Sequence, residues 1–145
     1  MYLFEKTREE AVAMNHDEAA YLLSMLADRL EGLLYATGIT LNPRLAHLLL
    51  VLGAKGILTA DAAAQDLGIS PEDVGARAEN LAAEGYAVID TSNDMASLSL
   101  TPKGQHSYEE LAEGLDSGIA ELLSPLDHHE QESLRELVSR CLYRT

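Results

Sequence analysis

Five histidines, one cysteine and an excess of carboxylates are the side chains of this 145-residue chain with the chemistry of catalysts or metal ligands. No two of His16, His47, His106, His128 and His129 have the HxxxH or HExxH spacing that sets two imidazoles on one helix face, and neighbours such as His128 and His129 point apart. No metal site is expected, and no cofactor. Cys141 stands among Leu137, Val138 and Leu142, which reads as a small buried hydrophobe; a reactive thiol needs exposure and nearby positive charge. A lone cysteine excludes an intrachain disulfide and fits a reducing compartment. With no glycine-rich phosphate loop, nucleophile elbow or catalytic triad, the chain is not expected to be an enzyme.

Recognition is the chemistry that the pattern supports, and it is concentrated between Thr59 and Gly104. This stretch reads as a helix, a tight turn, a second helix, a short hairpin and the start of another helix, the order of a winged helix-turn-helix. The positions offered to a partner are Ser70, Glu72, Asp73, Ala76, Arg77 and Asn80 on the second helix, Asn93, Asp94 and Met95 at the hairpin tip, and Lys103 beyond it. Charge opposes that order: eight acidic residues (Asp61, Asp66, Glu72, Asp73, Glu79, Glu84, Asp90, Asp94) face two basic ones, Arg77 and Lys103. Carboxylates at a helix start are favoured by its dipole, by about 0.3–1 kcal/mol each. Beside phosphate they are repelled.

The elements that must position these residues follow from periodicity and caps. Leu22, Leu26, Leu30 and Leu34 line one face of a helix over residues 17–36, ended by Gly38. Residues 1–15 read as an arm or a short helical turn. Thr40 or Asn42 caps a helix opening at Pro43, apolar almost all round and broken at Gly53 and Gly56. Thr59 caps the next, over residues 60–67, and Gly68-Ile69 makes the turn. Ser70, Pro71 and Asp73 open the recognition helix, about residues 71–84, which buries Val74, Ala78 and Leu81 and pairs Arg77 with Asp73 at i−4. The wing spans about residues 87–100. Tyr108, Leu111, Leu115 and Ile119 then mark a helix whose Gly114 and Gly118 admit a close neighbour, and an Asp127–Glu130 capping box opens a last helix bearing Leu134, Leu137, Val138 and Leu142. The fold class is mainly α with a small β-wing, as one domain over residues 1–145.

Hydrophobic residues at 47% suffice for a sizeable core, and the low aromatic content of 5% favours helix-on-helix packing. The charged opening, Met1 to Glu10, is no signal peptide, and the longest apolar run, Leu48–Leu52, is too short for a bilayer. A soluble, cytoplasmic protein is expected, without a membrane partner. The net charge of −14 repels nucleic acid at long range and favours basic partners unless a local basic patch reverses the field; it is also what a solubility device or a high-salt habitat would produce.

The ordered landmarks Gly38-Ile39-Thr40, Leu58-Thr59, Leu67-Gly68-Ile69-Ser70, Leu81, Gly85-Tyr86-Ala87-Val88 and Leu98 to Gly104 resemble the MarR family of bacterial regulators over roughly residues 17–143. The resemblance implies a homodimer whose end helices, residues 17–36 and 103–143, interlock through Leu22, Leu26, Leu30, Leu115, Ile119, Leu134, Leu137, Val138 and Leu142. It also implies that the segment 43–100 binds operator DNA, with release by a small-molecule ligand that the sequence does not specify. Two departures stand out. Pro71, Glu72, Asp73, Gly75 and Ala76 replace the family's usual donors, and Asp94-Met95-Ala96 lacks the wing arginine. The sequence thus leaves two readings: a transcriptional regulator relying on Arg44, Lys55, Arg77 and Lys103, or an interaction protein whose acidic face binds a basic protein partner as antagonist or decoy.

Overall fold

The computed structural model describes residues 15–143, so the expected N-terminal arm falls outside the described residues except for Asn15. Asn15 opens helix α1 (His16–Ala36), its side-chain oxygen accepting from the amides of Asp17 at 2.9 Å and Glu18 at 3.3 Å. Thr37 donates its hydroxyl to the Leu34 carbonyl (2.6 Å), and Gly38, at φ +83°, turns the chain away. Such a φ is strained for any residue with a Cβ.

Asn42, rather than Thr40, caps α2 (Pro43–Lys55) by accepting from the Arg44 amide at 2.8 Å. Contrary to the expected break, α2 runs straight through Gly53 and ends at Gly56. A helical glycine costs only about 1 kcal/mol, and this one makes room for a ring: a Cβ there would lie 2.1 Å from Tyr108. Strand β1 (Leu58–Thr59) leads directly into α3 (Ala60–Leu67), capped by Thr59, and Ser70 caps α4 (Pro71–Ala83). The wing is β2 (Ala87–Asp90) and β3 (Ser97–Leu100). Next come α5 (Pro102–Leu123), capped by Thr101, and α6 (His128–Tyr143). The last helix opens on the expected capping box, Asp127 accepting from the Glu130 amide at 2.8 Å and Glu130 from the Asp127 amide at 3.0 Å.

The three strands form one antiparallel sheet in the order β1-β3-β2, with Leu58 and Ile89 both opposite Leu98. Leu48, Leu49 and Leu52 of α2, Val74 and Leu81 of α4, Leu98 of β3 and Leu111 of α5 are fully buried. The core thus lies between the helix-turn-helix, the sheet and the start of α5. Gly114 and Gly118 admit the close neighbour anticipated for them: a Cβ would stand 2.8 Å from Thr37 Cγ2 at the first and 2.6 Å from Leu33 Cδ2 at the second.

By its contacts the chain divides into two compact units, Met1–Gly32 and Leu33–Thr145. In the first, Tyr21, Leu22, Leu23, Met25, Leu26 and Leu30 are exposed. In the second, α6 has no buried residue: Leu134, Leu137, Val138 and Leu142 all face solvent, whereas Leu115 and Ile119 of α5 are half-buried. Cys141 is exposed too, which corrects its reading as a buried hydrophobe. The apolar periodicity around it is real, but among the described residues Leu134, Leu137, Val138 and Leu142 stay exposed beside it. No helix among the described residues is long and apolar enough to cross a membrane.

Candidate nucleic-acid interface

Helix α4 owes its placement to its buried side. Val74, Ala78 and Leu81 anchor it in the core, as their spacing predicts, and this leaves Glu72, Asp73, Ala76, Glu79 and Asn80 exposed along its outer face. The N-terminus is held by Ser70, whose hydroxyl oxygen accepts from the Asp73 amide at 3.1 Å. Glu72 and Asp73 therefore sit at the positive end of the helix, where the dipole favours them.

Arg77 departs from the sequence reading. It makes no ion pair with Asp73; half-buried on the flank of α4, it donates from Nη1 to the backbone carbonyl of Arg44 at 3.4 Å. The reason is packing: α4 lies against α2, which brings the Arg44 carbonyl within reach of the guanidinium. Arg44 and Arg77 thereby line one cleft of about 290 Å3 with Asn42, Asn80 and Asp73. His47, one turn along α2, has its pKa lowered by partial burial and then by the Arg77 charge.

Lys55 and Lys103, the other two cations named for DNA binding, are occupied. Lys55 pairs with Asp66 at 3.0 Å. Lys103 donates to the Glu84 carbonyl at 2.7 Å, with its ammonium 4.4 Å from the centre of the Tyr86 ring. Beside it the Thr101 hydroxyl donates to the Gly85 carbonyl at 2.6 Å and the Thr101 amide to the Tyr86 carbonyl at 3.1 Å. Lys103 thus closes the C-terminal end of α4, where a cation meets the negative pole of the helix.

At the wing the loop 91–96 is organised by Asp90, whose carboxylate accepts from the Ser92 amide at 2.9 Å; hydrogen bonds from Ser92 hold the Asp90 carboxyl below its usual pKa. Asn93, Asp94 and Met95 are exposed at the tip, and the wing carries no cation. Of the residues singled out from sequence, the structure therefore gathers Asp73, Ala76, Arg77 and Asn80 at one cleft with Arg44. Asn93, Asp94 and Met95 lie apart from it on the wing, and Lys103 is given to a structural contact. What sequence reasoning missed was the meeting of Arg44 and Arg77 with His47 nearby. The i, i+3 spacing of Arg44 and His47, and an arginine at a position on the edge of a buried helix face, were the available signals.

A larger cleft of about 820 Å3 lies beside α3, between Asp61, Gln65, Ile69 and the end of α6, where the Tyr143 hydroxyl donates to the Asp66 carbonyl at 2.5 Å. No group of three or more His, Cys, Asp or Glu among the described residues is placed to hold a metal ion.

A helix-turn-helix whose second helix has an exposed outer face, followed by a two-stranded wing that β1 extends to a three-stranded sheet, defines a winged helix-turn-helix protein. No protein-family model matches the sequence, nor does any curated protein. Solved structures do match. A probable transcriptional regulator from Pseudomonas aeruginosa is 25% identical with a TM-score of 0.69, over 87% of this chain and 98% of that one. A MarR family protein from Bacillus stearothermophilus is 20% identical at TM-score 0.64, over 89% and 99%. NadR in complex with 4-hydroxyphenylacetate is 18% identical at TM-score 0.71, over 90% and 93%. The chain has the MarR-like winged-helix fold.

Proposed function

We propose that this chain is a homodimeric, MarR-like transcriptional regulator of the cytoplasm that meets operator DNA with α4 and the wing. The observation that carries the reading is the division of α4, with Val74, Ala78 and Leu81 in the core and Glu72, Asp73, Ala76 and Asn80 turned outward behind a helix-turn-helix. Likeness to a probable transcriptional regulator over nearly the full length of that chain supports it. The homodimer is supported by the exposed apolar residues of α1 and α6, Leu22, Leu26, Leu30, Leu134, Leu137, Val138 and Leu142. Each would gain about 25 cal/mol per Å2 of apolar surface covered by a second copy. A small aromatic acid is the first ligand class to try, given the 4-hydroxyphenylacetate bound by NadR.

The test is fluorescence anisotropy of the purified protein against a labelled duplex from its own promoter region, at low and at near-physiological salt. Saturable binding that prefers this duplex to random sequence and weakens with salt is the expected result. No binding at low salt by a folded protein would sink it.

One observation favours a second reading, a basic protein partner docking on the acidic face in place of DNA. Lys55 and Lys103, two of the four cations on which DNA binding would draw, are held by Asp66 and by the end of α4. Under that reading the duplex fails to bind, and a cationic partner protein recovered with the chain loses its affinity when Glu72 and Asp73 are neutralised.

A further inference from the structure

Two arginines face one cleft in a protein with a net charge of −14. We propose that Arg44 and Arg77, with Asn42 and Asn80, form a seat for one backbone phosphate of the bound DNA, supplying from the α2–α4 junction the cationic contact that the acidic start of α4 and the wing do not provide. The proposal rests on the regulator reading for its ligand and on the cleft alone for its chemistry.

The geometry supports it on three counts. First, Arg77 is directed toward the cleft: its Nη1 donates to the Arg44 carbonyl at 3.4 Å, which uses one N–H of five and leaves the others for a ligand. The planar fork of a guanidinium matches two oxygens of a phosphate. Second, the Arg44 guanidinium has no carboxylate within ion-pair distance among the described residues, unlike Lys55. Third, the cleft opens at the N-terminus of the 13-residue helix α2, whose dipole adds positive potential there. The carboxylate of Asp73, on the same cleft, opposes an anion. Two guanidiniums against one carboxylate leave the cleft net positive.

Arg77 occupies the edge of the buried face of α4. On the flank of a helix whose neighbours Val74, Ala78 and Leu81 are fully buried, a side chain of this length can leave the core only along the α2–α4 groove, which is where the cleft lies. Its partial burial also strengthens whatever charge contact it makes, because solvent screens it less.

Two measurements on the full chain separate the seat from the regulator reading. Titration with inorganic phosphate, followed through the ring signals of His47, should perturb those signals in the wild type and much less in Arg44→Gln or Arg77→Gln. Duplex anisotropy should show each variant binding all sequences more weakly, with the salt slope reduced by about one, and the double variant little worse than either single one, since both serve one phosphate. Asp73→Asn should tighten binding, which guards against a misfolded arginine variant being taken for support. Phosphate that leaves His47 unmoved, or duplex binding indifferent to Arg44 and Arg77, overturns the seat while leaving the regulator reading standing. Arginine-dependent phosphate binding by a protein that binds no duplex sustains the seat as a phosphate site and removes DNA as its ligand.

Discussion

Arg77 shows how one side chain can alter the electrostatics of a whole face. An apolar residue on that flank would have sealed α4 against α2; the guanidinium instead carries positive charge into a groove of an acidic protein and lowers the pKa of His47 from α4. The unfolded chain binds the His47 proton near the ordinary value of 6.5, and the folded chain only at lower pH. Between those values the unfolded state holds more protons, so this contribution to stability is intact above 6.5 and is lost as pH falls through 6.5 toward the folded pKa. Urea midpoints at pH 7.5, 6 and 5 should show His47→Gln losing less stability on acidification than the wild type. Arg77→Gln should recover a smaller part, because burial is the larger cause of the shift.

At the scale of elements, two helical glycines should respond to alanine with opposite signs. Gly75 lies inside α4 with nothing within 4 Å of where a Cβ would stand, so Gly75→Ala should stabilise by about 0.5–1 kcal/mol through the helix-forming advantage of alanine. Gly104 lies in the first turn of α5 with the Tyr86 carbonyl oxygen 1.9 Å from its missing Cβ. Gly104→Ala must push backbone against backbone and should cost about 1–3 kcal/mol. Urea denaturation of the two variants decides the pair. The same distinction explains what could be read in advance. Caps at Thr59, Ser70 and Asp127 are local, each a polar side chain within three residues of the amide it serves, so those helix starts were legible, while α2 offered both Thr40 and Asn42. Strand β1 was not: it is two residues long, and its identity comes from pairing with Ser97 and Leu98, some forty positions away. Gly53 misled for the same reason, since the Tyr108 ring that rewards a glycine there belongs to another helix. Within the candidate site the outer face of α4 could be read from periodicity, while the Arg44–Arg77 meeting spans 33 positions and depends on how two helices cross.

For the whole molecule, apolar residues without cover and a surplus of like charge set the expectations. If α1 and α6 are dimer helices, sedimentation equilibrium should return twice the 15.7 kDa chain mass, and Leu137→Asp, an exposed apolar position on α6, should lower it toward one chain without unfolding the core. Self-repulsion from a net charge of −14 is screened by salt, so the thermal midpoint should rise as sodium chloride is added from low ionic strength. Operator affinity should move the other way over the same range. Opposite trends in one titration would mark folding and binding as answering to different charges.

The joint between α4 and α5 has a mechanical consequence. Three hydrogen bonds tie Glu84, Gly85 and Tyr86 to Thr101 and Lys103, and Gly104 rests against the same carbonyl. These bonds join the C-terminal end of α4 to the start of α5, a helix of 22 residues or about 33 Å. A tilt applied near Leu123 would reach the C-terminal end of α4 through these three bonds. The far end of α5 is a handle by which α4 can be aimed.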